Sequence, residues 1–414
     1  MKIWVKLLLG AVIGFIIAFF LPESADTGII LGQIAQIVIN IGKYAIFPLV
    51  FFSLIISIWE LRAERKLLAL FKKCFFYLLL STVLLSAIGT ISGILLPTQK
   101  IPGAGDLTIP AIPLTELFMN NIFPDNLFSI LIQSGFSLFP IIVLALLIGL
   151  NVDYEKQFTR PVISFADGMS RTMYHINSLF VEIFWIGMIA VGAARFFSIK
   201  TVKGTEAFLP LFITLIADVV IIVAGVYPLI LFFLTKKKNP YKIMYAGLGP
   251  AITAFLSGDP YLSLGMLTKH SRENLMGPRA TNNPIFSLAT VFSRAGTALV
   301  VSVSFVLLRK VTFGAEIPFY EYFWIFGASI VAGMFSGLLT FPFPQTGAYA
   351  ALAFVCLTYI HPSMLPDKYL DLAQIAPLLV CVGTLLDVLT SWLTAYLIQY
   401  EGNPQTDVDM RRCI

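Results

Sequence analysis

Hydrophobic residues fill long stretches of this chain, and the polar positions that interrupt them are few. Apolar runs fall at roughly 4–21, 35–59, 74–97, 110–150, 170–198, 208–234, 284–308 and 372–398. Most reach or exceed the ~18–20 apolar residues that cross the hydrocarbon core of a bilayer as a helix. Two further stretches, near 245–268 and 321–360, are interrupted at Ser257-Gly258-Asp259-Pro260 and at Thr340-Phe341-Pro342-Phe343-Pro344-Gln345-Thr346-Gly347. Pro and Gly clusters cannot continue a helix, and non-helical backbone survives at membrane depth only inside protein or beside a cavity. The pattern therefore predicts two helix–turn–helix hairpins that enter and leave on one side. Two ordinary spans with kinks are the alternative.

The polar residues inside the runs carry the candidate chemistry. Between Pro284 and Lys310 an apolar stretch holds Arg294 and Gly296 near its middle. An arginine at that depth costs at least ~2.5–3.5 kcal/mol, so it needs a partner, a cavity or a job. Glycine-interrupted helices with polar groups at the break are also how transporters build sites at the membrane midplane. In the last run Asp387, Thr390, Ser391 and Thr394 fall at offsets 0, +3, +4 and +7, which places them on one helical face. They read as a ligand-facing stripe, or, for the hydroxyls alone, as a helix–helix seam. Glu182, Arg195 and Asp218 also stand within runs, where structural ion pairing or proton relay would explain them.

Composition narrows the class. With 58% hydrophobic and 12% charged residues, 36 Phe and a mean hydropathy of +0.87, the chain lies outside the range of soluble domains. Its net charge of +5 resides in loops, so it reports orientation and not nucleic-acid binding. Arg62, Arg65, Lys66, Lys72 and Lys73 form one basic cluster, and Lys236, Lys237, Lys238 and Lys242 another. By the positive-inside rule these loops and both termini are expected in the cytoplasm, with Arg309 and Lys310 a local exception outside. The basic start and apolar core at 1–21 read as a retained first span, since no small-residue cleavage site follows. Four scattered cysteines and three scattered histidines give neither a disulfide framework nor metal-ligand spacing. No nucleotide loop or nucleophile–base signature is present, so an enzyme is not expected.

Several strings, taken in order, resemble a known family. They are Phe47-Pro48-Leu49-Val50-Phe51-Phe52-Ser53-Leu54, Ile122-Phe123-Pro124-Asp125-Asn126-Leu127-Phe128, Phe139-Pro140-Ile141-Ile142-Val143 and Gly296-Thr297-Ala298-Leu299. With the two hairpin breaks and Asp387, they make the chain similar over nearly its whole length to the dicarboxylate/amino acid:cation symporters. That resemblance implies an all-α membrane protein with eight transmembrane helices and two re-entrant hairpins, in an elevator-type fold. It implies scaffold helices at 1–72 and 99–205 and a transport domain at 73–98 and 206–400. The remainder, 401–414, would be a cytoplasmic tail. It also implies a homotrimer in an inner or plasma membrane, with a small-molecule substrate, the bilayer and no nucleic acid as partners.

The departures from the family pattern shape the expected function. The family motif Asn-Met-Asp-Gly-Thr stands here as Ser293-Arg294-Ala295-Gly296-Thr297. In the last span the family order Asp, Arg, Thr, Asn, Asp is here Asp387, Thr390, Ser391, Thr394 and Ile398. Two carboxylates that ligate sodium in the family are thus Ala295 and Ile398, whose side chains offer no oxygen. Tyr77 and Ser81 match sodium-site positions, but the expected threonine is Leu80. Na⁺ coupling is expected to be lost or weak, leaving a coupling proton or a residual Na⁺ as the sole cofactor. Thr390 replaces the arginine that binds acidic substrates, while Asp387, which binds the substrate amine in the family, remains. Arg294 is expected to act as a tethered cation, to receive a substrate carboxylate, or to pair with Asp259 or Asp387. Ser257, Asp259, Thr297, Phe341 and Pro342 complete the expected substrate site, which suits a neutral amino acid. A sodium- or proton-coupled acidic amino-acid symporter, a channel-like conductance and a non-transporting receptor are the alternatives.

Overall fold

A computed structural model of the chain describes residues 2–97, 138–152, 156–201, 205–235, 239–275, 278–292, 294–313, 317–337, 372 and 375–403. All regular structure among them is helical. The chain runs through α1 (Ile3–Phe20), α2 (Ala25–Lys43), α3 (Ile46–Ala63) and α4 (Leu67–Leu95), then α5 (Phe139–Asn151) and α6 (Lys156–Lys200). It continues with α7 (Thr205–Ile221), a π-helical turn (Ile222–Val226) and α8 (Tyr227–Thr235). The short helices α9 (Tyr241–Ala246), α10 (Leu248–Ser257) and α11 (Pro260–Asn274) follow. Last come α12 (Arg279–Phe292), α13 (Ala295–Phe313), α14 (Phe319–Phe335) and α15 (Ala376–Gly402).

Local chemistry sets the boundaries. The Ser24 hydroxyl accepts from the Thr27 amide at 3.2 Å and starts α2 well before the apolar run at 35–59 begins. That run is two helices, with Pro48 in the first turn of α3, where the missing N–H is harmless. At Ser257-Gly258-Asp259-Pro260 the backbone turns through a left-handed Gly258 (φ +63°), and Asp259 caps α11 with Pro260 as its first residue. The arms then fold back on each other, since the Asn274 amide donates to the Ala246 carbonyl at 2.9 Å. At 10 and 15 residues, α10 and α11 are each shorter than a bilayer crossing. The second expected hairpin break, with Phe341 and Pro342, lies outside the described residues, as does Ser293.

Among the described residues, seven helical stretches are long and apolar enough to cross a membrane. Their burial sorts them into layers. The stretch Arg279–Val311 has 94% of its most apolar window buried and α15 has 83%, against 33% for α1 and 28% for Glu206–Thr235. α12, α13 and α15 therefore form the centre, while α1, α7 and α8 expose large apolar side chains such as Phe20, Ile216 and Phe233. One large apolar cluster joins α3–α15, α6 through Ala166 alone among its buried members, around the fully buried Trp392 and Tyr396. A second joins α1, α2 and α6 to Leu256, Leu262 and Met266 of the α10–α11 hairpin. The hairpin tip is where the two clusters meet.

The central contact admits no extra atom. A Cβ on Gly296 would collide with the Gly383 carbonyl oxygen and lie 2.5 Å from the Leu386 Cβ. Gly296→Ala should therefore lower the melting temperature in detergent, at a cost of ~1–3 kcal/mol for overpacking. Gly32→Ala, with open space around it, should leave the melting temperature unchanged or slightly raised.

Candidate functional site

The site is built on an interruption. α12 ends at Phe292 and α13 begins at Ala295, with Arg294 in the non-helical link. The Arg294 carbonyl accepts the first turn's bond from the Ala298 amide at 2.9 Å, so Arg294 occupies the N-cap position of α13. An arginine side chain has no acceptor with which to cap, and its cation opposes the positive end of the helix dipole.

A residue from another helix supplies what is missing. Asp387 of α15 places Oδ1 2.7 Å from the Gly296 amide and 3.2 Å from the Thr297 amide, and its Oδ2 accepts from the Thr297 hydroxyl at 2.8 Å. One carboxylate thus accepts two orphan amides of α13 and puts negative charge at its N-terminus. Arg294 is 4% exposed, and its charged and polar neighbours are Tyr261, Asp387 and Asp259.

The rest of the polar stripe on α15 is largely engaged. Thr390 Oγ1 donates to the Leu386 carbonyl (2.7 Å) and meets the Tyr227 hydroxyl of α8 at 2.7 Å. Ser391 Oγ donates to the Asp387 carbonyl at 2.8 Å. Thr390 therefore sits in a helix–helix seam. Thr394 is buried on the same face. The π-helical turn just before α8 aims Tyr227 at this seam, and its freed Ala224 carbonyl accepts from the Tyr241 hydroxyl at 2.8 Å.

The hairpin tip is held by two cations from α2 and α6. Asp259 Oδ1 accepts from the Tyr261 and Leu262 amides at 2.9 and 3.0 Å, while Oδ2 pairs with Lys43 Nζ at 2.6 Å. Both partners are almost fully buried, at 2% and 4% exposure. Ser257 Oγ accepts from the Asp259 amide at 3.1 Å and donates to the Thr253 carbonyl at 2.7 Å. Arg195 donates Nε to the Leu256 carbonyl at 3.3 Å and Nη2 to the Ser257 carbonyl. Glu182 forms the expected kind of ion pair, with Lys269 at 2.7 Å, whereas Asp218 accepts from Ser92 at 2.7 Å.

The residues expected at sodium-site positions make other contacts. Tyr77 donates to Glu401, which also pairs with Lys73 at 2.5 Å. Glu401 lies fourteen residues beyond Asp387 on α15, ~21 Å along the axis at 1.5 Å per residue. The Ser81 hydroxyl donates to the Leu78 carbonyl of its own helix at 2.8 Å. Ala295 and Ile398 are buried apolar positions. The structure adds three participants that sequence reasoning passed over. Lys43 interrupts an apolar run, and a charge so placed was an available signal. Tyr227 and Tyr261 carry none, because tyrosines recur throughout the helices.

The model of one protein family, described as the sodium:dicarboxylate symporter family, matches residues 3–388. The chain belongs to that family. The family is one of transporters and not of enzymes, and the seven apolar stretches make the chain a multi-pass membrane protein. A Serine/threonine transporter, SstT, of Acinetobacter baylyi is 24% identical over 305 residues, covering 72% of this chain and 73% of its own. A Proton/sodium-glutamate symport protein of Bacillus caldotenax is 24% identical over 249 residues, covering 55% and 54%. A Caenorhabditis elegans protein, glt-3, whose name places it among sodium-dependent excitatory amino acid transporters, is 22% identical over 353 residues. That match covers 74% of this chain and 65% of the relative, so this chain spans just under two thirds of its length.

Two substitution series test this geometry. Asp387→Leu removes all the acceptors at the start of α13 and the charge facing Arg294, so it should destabilise by ~3–5 kcal/mol, as stripping a buried charge of its partner does. Asp387→Asn keeps an accepting oxygen and should cost clearly less in thermal unfolding. Lys43→Met should likewise cost ~3–5 kcal/mol by stranding Asp259. Adding Asp259→Asn should recover most of that loss, because asparagine still caps α11.

Proposed function

We propose that this protein is a secondary transporter of a small organic solute, preferably a neutral amino acid, and that its coupling to Na⁺ is weak or absent. The observation that carries this reading is the break between α12 and α13, where the buried Arg294 guanidinium faces Asp387. A tethered cation there takes the role that a mobile cation would otherwise fill. Ala295 and Ile398 contribute no carboxylate that could hold a mobile cation. The solute site in this reading is formed by Asp387, Arg294, Thr297, Thr394 and the tip at Ser257 and Asp259, with Phe341 and Pro342, outside the described residues, as further expected members. A free amino acid would set its ammonium on Asp387 and its carboxylate on the planar fork of Arg294.

Movement is proposed to follow the elevator scheme, with α1–α3, α5 and α6 as scaffold and α4 with α7–α15 as transport domain, in a homotrimer. The short arms of the α10–α11 hairpin, and the meeting of the two apolar clusters at its tip, support that division. The large cluster also includes α3, α5 and Ala166 of α6, so those helices would form the sliding surface.

The second reading, a sodium- or proton-coupled symporter of acidic amino acids, is favoured by the family description and by the names of two relatives. Uptake into proteoliposomes separates the two. Replacing Na⁺ by K⁺ or choline should change uptake of neutral amino acids little; a steep, multi-ion Na⁺ dependence would sink the first reading. Asp387→Asn, if folded, should weaken substrate binding by ~1.5–3 kcal/mol, the scale of a charge-assisted hydrogen bond. Arg294→Met should impair uptake without conferring Na⁺ coupling, and Arg294→Lys should rescue poorly if the bidentate contact matters. Wild-type rates in both Arg294 variants would make that residue a bystander.

A further inference from the structure

A second polar site lies away from the helix break, where α3, α6, α11 and α12 converge. A small cavity there has about 10 Å³ of room for the centre of a water-sized group. Its lining is polar, with Arg272, Arg279, Asn282 and Ser170 as donors, while the Thr268 and Ser271 hydroxyls donate to the Leu264 and Thr268 carbonyls. No carboxylate is among the lining residues. Of the acids near by, Asp167 is held by Arg171 at 2.9 Å and Glu273 accepts from Tyr174 at 3.4 Å, while Glu60 faces Asp167 and Arg279.

Two features make this more than a basic patch. Arg272 is held in place by stacking over the Tyr174 ring at 4.1 Å, and Arg279 lies beside Arg272 and Arg171, forming no ion pair among the described residues. Asn282 is 2% exposed; its Oδ1 accepts from Gln399, but its Nδ2 has no hydrogen-bond partner. A buried amide donor left unmatched costs ~1–3 kcal/mol; the Gln399 Oε1 acceptor of the same contact is unmatched too, and an oxyanion oxygen in the cavity that Asn282 lines would satisfy the donor. Two planar guanidinium forks, with the Ser170 hydroxyl and the Asn282 amide in the same lining, match a tetrahedral oxyanion.

We propose that this cavity binds a phosphate oxyanion, with one oxygen inserted toward Asn282 and the others held by Arg272 and Arg279 at the mouth. The volume fits a single oxygen rather than a whole ion, which leaves the remainder of the ligand outside. Ser57 Oγ donates to the Arg279 carbonyl at 3.4 Å, which sets the start of α12 against α3. A phospholipid headgroup or free phosphate could each supply the group. Either would tie α3 and α6 to α11 and α12.

Binding to the purified full chain tests this without reference to transport. Inorganic phosphate should raise the melting temperature beyond the effect of chloride at equal ionic strength, or a phospholipid should survive gel filtration and be seen by native mass spectrometry. The first result without the second identifies a free anion; a retained lipid with no phosphate response identifies a headgroup. In either case Arg279→Gln should weaken binding about tenfold or more, the loss of one charge-assisted hydrogen bond, while Arg62→Gln should not. If Arg279→Gln does not fold, Arg279→Lys keeps the charge without the fork and should bind several-fold more weakly. Absence of both signals, or an undiminished signal in a folded Arg272→Gln/Arg279→Gln double variant, would overturn the proposal and leave a cavity for water.

Discussion

One carboxylate holds the centre of this molecule together. Without Asp387, the two helices that replace a single span would meet at a gap with orphan amides on one side and a buried guanidinium in the middle. At that gap Arg294 stands where a capping side chain belongs and cannot cap. A neighbouring helix therefore supplies the acceptor across the core, which requires close approach, and close approach requires glycine at 296. Break, charge, cap and tight packing are consequences of one another. This coupling also explains why the most polar point of the chain is among its most buried: each group there is the answer to a neighbour's deficit.

The hairpin tip repeats the logic with a different donor set. Asp259 caps its own helix with one oxygen and holds a lysine from α2 with the other. A buried ion pair is weak evidence of stability, since desolvation can consume the Coulombic gain, but it fixes register strongly because neither partner can be left alone. The tip is thus set against α2 and α6 at one position. Any sliding of the hairpin along those helices would have to exchange the Lys43 and Arg195 contacts for others of similar strength.

Much of this was legible in the residues. The hairpin break at Ser257–Pro260, the interruption at Arg294 and Gly296, and the common face of Asp387, Thr390, Ser391 and Thr394 all follow from helix period and breaker chemistry. The pairings did not. The helix period gives the face of Asp387 but not that the start of α13 lies opposite it. Tyr77 carried a sodium-site match, yet its hydroxyl reaches Glu401; a shared string constrains the backbone position more than the rotamer or its partner. The apolar run at 35–59 concealed a boundary, since hydropathy does not see the cap at Ser24 or the junction before Pro48.

The π-helical turn at Ile222–Val226 has a consequence of another kind. It holds one residue more than the α-helix would need, and one residue is worth about 100° of rotation around the axis. Everything after it, Tyr227 included, is turned by that angle relative to α7. The surplus residue acts as a phase shifter, letting α7 keep its outward pattern for lipid while α8 presents a phenol inward to Thr390. The inward contact is thus written as an insertion in the chain rather than as a change of side chain, and removing one residue near Gly225 would dephase it while leaving the composition of the run almost untouched.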